Sequence, residues 1–112
     1  MRDEPDLYEY ARQTSELDLH GYPVSAAREV AREFVKAAWE AGWDHVVLIH
    51  GARAARHPQS KLVLSGYGGI KWSLRGMLHD GEFDPYARSA SSSLHRHEPT
   101  RLIIALEPLA PR

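Results

Sequence analysis

Leu17-Asp18-Leu19-His20-Gly21 is the stretch from which the fold can be read. Leu17 and Leu19 alternate with Asp18 and His20, the period of a β-strand with one buried face. In this register the leucines enter a core, and the carboxylate and imidazole leave together on the other side. Gly21 then lets the backbone turn sharply or approach a ligand closely. The same device recurs where Val46-Val47-Leu48-Ile49 runs into His50-Gly51. Two strands that each end in His-Gly organise the rest of the chain.

Between them lies a helix. Pro23-Val24-Ser25 is its entry, with Ser25 as the expected N-cap, and Gly42 is a natural stop. Ala27, Val30, Ala31, Phe34, Val35 and Ala38 form an apolar stripe of helical period, with Arg28, Glu29, Arg32, Glu33, Lys36 and Glu40 opposite. Val46–Ile49 shows no alternation, as expected of a strand covered on both faces in a parallel sheet. Strand, helix and strand make a right-handed βαβ unit, so the two His-Gly turns emerge at one edge of the sheet. Ligands of open α/β sheets bind beyond the carboxyl ends of the strands, which favours a site there.

Residues 52–68 are a long connection carrying Arg53, Arg56, His57 and Lys61, with Leu62-Val63-Leu64 as a short strand or interaction patch. Gly66, Gly68 and Gly69 lead into a second helix whose Ile70, Leu74, Met77 and Leu78 face the core. Lys71, Arg75 and His79 follow at i+4 spacing, and a glycine-flanked helix start with a lysine in its first turn suits a phosphate. Phe83 to Ala90 reads as a third strand, Ser91 to Pro99 as a polar loop and Leu102 to Leu106 as a last strand. Residues 1–15 read as an N-terminal arm with a short helix around Leu7, Tyr10 and Ala11, residues 16–107 as the domain, and 108–112 as a tail. The expected fold class is α/β, a two-layer sandwich in the order β-α-β-α-β-β. It has two helices on a mostly parallel four-stranded sheet.

Composition agrees with one ordinary globular domain: 112 residues, 43% hydrophobic and 26% charged. The absence of cysteine excludes disulfides and thiolate metal sites. No apolar run approaches membrane-spanning length and Met1-Arg2-Asp3-Glu4-Pro5 is polar, so the cytoplasm is the expected compartment. Charge is unevenly spread. Residues 1–44 hold five Arg/Lys against ten Asp/Glu, whereas residues 45–79 hold Arg53, Arg56, Lys61, Lys71 and Arg75 and no acid. On charge alone that stretch is equally an anion-binding surface or a solvated basic face.

With these residues in place the chain resembles the Smr (small MutS-related) domain family. The resemblance spans roughly Glu16 to Glu107 and rests on Leu17-Asp18-Leu19-His20-Gly21 as the LDxHG motif, His50-Gly51 as the start of HGxG, and the helix after Gly69. Two places depart from the pattern: Arg53 stands where the second glycine of HGxG is expected, and His97-Glu98-Pro99-Thr100 replaces a Gly-Ala-Thr stretch. The resemblance implies the fold known from the C-terminal domain of translation initiation factor three. It also implies nucleic-acid binding with nicking or endonuclease activity on DNA or RNA.

Hydrolysing a phosphodiester needs a base for the nucleophile, an acid for the leaving oxygen and positive charge on the phosphate. An imidazole can serve as either proton-transfer group, and His20 supplies one, with Asp18 to orient it or to join it in holding a divalent cation. His50 is the candidate partner acid or a further metal ligand, with a hydrogen-bonded turn residue as its competing role. Gly51, Arg53, Arg56, Lys61, Gly68, Gly69, Lys71 and Arg75 are the candidate phosphate contacts. The expected metal, if one acts, is a loosely held Mg²⁺ or Mn²⁺ rather than tight zinc. The expected partner is nucleic acid rather than a membrane, and the chain a monomer or weak homodimer. The alternatives are a non-catalytic nucleic-acid-binding module and a protein-interaction domain using Leu62-Val63-Leu64. For Asp18 and His20 the competing role is a capped strand end, with Asp18 bonding local backbone N–H groups. His95-Arg96-His97 reads as surface loop, and Trp72 suits base stacking if exposed.

Overall fold

A computed structural model describes residues 6–51, 69–87, 95–97 and 100–109. The expected roles of Arg53, Arg56, His57, Lys61, Gly66, Gly68 and the Leu62-Val63-Leu64 run lie outside the described residues. The elements are α1 (Leu7–Gln13), β1 (Glu16–Asp18), α2 (Val24–Ala41), β2 (His45–Ile49), α3 (Gly69–His79), β3 (His95–His97) and β4 (Arg101–Ala105). The strands form one sheet in the order β1-β2-β4-β3.

Asp6 caps α1 by accepting the N–H groups of Tyr8 and Glu9 at 3.1 and 3.3 Å. This helix packs on α2: Ala11 is fully buried, the Tyr10 and Phe34 rings lie 5.8 Å apart, and the Trp43 indole N–H donates to the Ala11 carbonyl. The segment read as an arm therefore supplies a residue to the core. Helix α2 starts before the expected cap. Pro23 holds the N-cap position, its carbonyl accepting the Ala27 N–H at 2.8 Å, so Ser25 sits inside the first turn and is exposed. Gly42 ends the helix in the left-handed conformation, donating to the carbonyls of Ala38 and Trp39.

The sheet is mixed, not mostly parallel. β1 and β2 pair in parallel, but β2 with β4 and β4 with β3 pair antiparallel. Only residues 98–100 separate β3 from β4, far too few for a parallel crossover, so the two return as an antiparallel pair. The strand expected over Phe83–Ala90 is a turn as far as it is described. The Phe83 carbonyl accepts from Tyr86 and Ala87, and a single bridge joins Ala87 to Leu106. Pro85, which has no N–H to donate to a ladder, accounts for this. The third strand forms instead from His95-Arg96-His97, within the stretch that reads as a polar loop.

One sheet face carries the core. Leu17, Leu19, Val46, Leu48, Leu102 and Ile104 meet Ala31, Phe34 and Val35 of α2 and Ile70, Leu74 and Met77 of α3. Alternation puts Asp18, Val47, Ile49, Arg101 and Ile103 on the other face. A polar clamp fixes the helices to each other. Arg28 donates to Ser73 and to Glu82 at 3.1 Å each, and Arg32 donates to Glu82 at 2.8 Å. No helix among the described residues is long and apolar enough to cross a membrane.

Candidate nucleic-acid interface

Leu17 in β1 and Leu19 just past it are buried on either side of Asp18, and that alternation aims Asp18 away from the helices. The pairing continues past the strand, with the Leu19 N–H donating to the Ile49 carbonyl at 2.7 Å. His20 then leaves the sheet beside Asp18, the two side chains being 71% and 58% exposed and Nδ1 lying 3.4 Å from Oδ1. The same carboxylate oxygen accepts the His20 backbone N–H at 3.0 Å. Asp18 thus caps the turn and faces the imidazole with the same carboxylate oxygen.

Gly51 adjoins this pair. Its φ is +82°, and a Cβ built there would lie 3.0 Å from His20 Cβ, so the backbone of the second His-Gly turn touches the side chain of the first. The turns do meet at one edge, as parallel pairing requires, but their histidines differ. One residue past β2, His50 continues the phase of Val46 and Leu48 and is only 5% exposed. The N–H groups of His50 and Gly51 both donate to the Thr100 carbonyl, at 2.9 and 3.2 Å, tying this turn to the start of β4.

The basic residues separate in the same way. Lys71 is 7% exposed, its ammonium 5.9 Å from the centre of the Trp72 ring. Burial first and the charge of Arg75 second hold its pKa below the ordinary lysine value. Gly69, at the start of α3, is buried as well. Arg75 is exposed and lies over the Trp72 ring at 5.1 Å, while that half-buried ring's indole N–H is sealed from solvent. Arg101 went unnoticed in the sequence because it opens an apolar run. Its register against Ile49, and Ile49's against Asp18, is what brings it to this edge. Among the described residues no group of three or more His, Asp or Glu is arranged to hold a metal. A hollow lined by Gly42, Trp43, Asp44, Leu106, Pro108 and Leu109 lies at the opposite end of β2 and is no guide to this site.

These features define a two-layer α/β domain with an acid–imidazole pair at the carboxyl end of its parallel strands. The family model of the Smr domain matches residues 17–80, from Leu17 in β1 to just past α3. The chain belongs to the Smr domain family, which is associated with nucleic-acid binding and nuclease activity. Among solved structures, the Smr domain of Thermus thermophilus MutS2 is similar to it, with a TM-score of 0.58 at 21% identity. That likeness covers 85% of this chain and 100% of the other. No curated protein sequence matches the chain.

Proposed function

We propose that this chain binds nucleic acid at the carboxyl ends of β1 and β2 and nicks DNA or RNA there by hydrolysing a phosphodiester. The observation that carries the reading is the exposed Asp18–His20 pair, 3.4 Å apart, with the Gly51 backbone against it. His20 accepts a proton from the attacking water or returns one to the leaving oxygen, and Asp18 orients the ring and offsets its charge when protonated. His50, being buried, supports the turn rather than touching substrate. Asp18, with His20 beside it, would hold a hydrated Mg²⁺ or Mn²⁺ loosely, and such an ion would supply positive charge to the substrate phosphate.

The test is incubation of pure protein with labelled single-stranded, duplex and branched DNA and RNA, with and without Mg²⁺ or Mn²⁺. Asp18→Ala and His20→Ala are each expected to slow cleavage by about 100-fold or more, the usual loss for an acid–base group. Cleavage by both variants at the wild-type rate rules the site out. A second reading, a binding module without catalysis, draws on the Asp18 hydrogen bond to the His20 N–H, which is a sufficient structural role for the carboxylate. Retention of labelled oligonucleotide in a gel shift with no cleavage under any metal condition selects it.

A further inference from the structure

The geometry points to Arg101 as a phosphate-contacting residue of the same site, an inference that rests on the nucleic-acid reading above. Asp18 pairs in register with Ile49, and Ile49 with Arg101, so the three residues form one row across β1, β2 and β4. Residues in such a row point to one face. The burial patterns agree: Asp18 is exposed and Ile49 and Arg101 half-buried, while Leu17, Leu48 and Leu102 in the adjacent row are buried in the core. Two inter-strand spacings separate Asp18 from Arg101, roughly 10 Å of backbone. A long guanidinium side chain on one flank and the Asp18–His20 pair on the other can therefore reach one phosphodiester lying over Ile49. Thr100, the preceding residue, accepts the N–H groups of His50 and Gly51, so the root of Arg101 is fixed to the turn that touches His20.

A guanidinium suits this place because its planar fork pairs bidentately with phosphate oxygens.

The test uses the full chain with two probes, a fluorescein-labelled single-stranded RNA and a duplex DNA. The salt dependence of binding, cleavage and thermal melting are measured for wild type, Arg101→Gln and Arg101→Lys. Arg101→Gln is expected to make the log–log salt slope shallower by about 0.7 on the single strand or about 0.9 on the duplex. Arg101→Lys keeps the slope but cleaves more slowly, because a point charge replaces the fork. Should Arg101→Gln fail to fold, the Arg101 Nε–Hε resonance of the wild type, assigned with Arg101→Lys, is followed during titration with the same probes. Movement of that resonance together with the Asp18 and His20 amides supports the contact. Binding with an unchanged slope, or with moving amides and a still Arg101 resonance, overturns this inference and leaves the proposed function standing. Absence of wild-type binding to both probes removes the two together.

Discussion

Gly21 and Gly51 both have positive φ, +94° and +82°, and very different surroundings. A Cβ at Gly21 meets nothing within 4 Å, whereas one at Gly51 presses on His20 Cβ at 3.0 Å. A left-handed L-residue costs about 1–2 kcal/mol, so Gly21→Ala and Gly51→Ala are each expected to lower the melting temperature by several degrees. Only Gly51→Ala is expected to shift the His20 ring resonances and to slow cleavage beyond what lost stability explains. Equal effects of the two variants on His20 would show that the close approach is inconsequential. Asp18 allows a similar separation of roles. Asp18→Asn keeps an oxygen for the His20 N–H and removes the charge, so it should melt like wild type and yet lose about 100-fold in cleavage. A fall in melting temperature as large as that of Asp18→Ala would instead assign the charge to the turn.

At the scale of elements, the joint between α2, α3 and the turn after it is electrostatic at its rim. The hydrogen bond from Arg32, then the charge of Arg28, holds the Glu82 carboxyl below the ordinary glutamate value. A carboxylate depressed in the folded state contributes stability above its unfolded pKa of about 4.3, and that contribution is lost as pH falls through the lower folded value. Wild-type melting temperature should therefore drop on acidification below about pH 5, and Glu82→Gln should show less of that drop. Parallel curves for the two proteins would contradict the clamp. Lys71 runs the opposite way. Burial disfavours its charge in the folded state, a penalty present below the folded pKa and relieved as pH rises through it toward the unfolded value of about 10.4. Lys71→Met is expected to melt no lower than wild type at pH 7 and to leave the salt slope of nucleic-acid binding unchanged. A shallower slope would restore Lys71 to the interface.

For the whole molecule, charge separation is the property that matters. The acid-free stretch from His45 to His79 carries Arg53, Arg56 and Lys61 next to the second His-Gly turn in sequence. Changing these three to Ala is expected to make the salt slope shallower by roughly two to three units and to barely alter melting. The control must spare the clamp, which excludes Arg28 and Arg32; Arg12 and Lys36 are exposed and serve instead. An unchanged slope in the triple variant, or an equal change in the control, removes these three residues from the interface.

Period decided what the sequence determined alone. Alternation at Leu17–His20 and the helical stripe from Ala27 to Ala38 report which side of an element is buried, the unbroken run Val46–Ile49 reports burial on both, and burial is local information. They yielded the parallel β1-β2 pair, the helix between, and the common edge of the two His-Gly turns. Strand order and direction beyond β2 are not written in period. β4 lies antiparallel beside β2, and β3 takes the edge, because their short connection forces a return and the core rewards covering β2 with Leu102 and Ile104. The same long-range register put Arg101 in line with Asp18, while one residue of phase set His50 apart from His20. A strand shows only which of its residues share a face; which residues of other strands join them there depends on pairing across the sheet, and that is fixed by the folded chain.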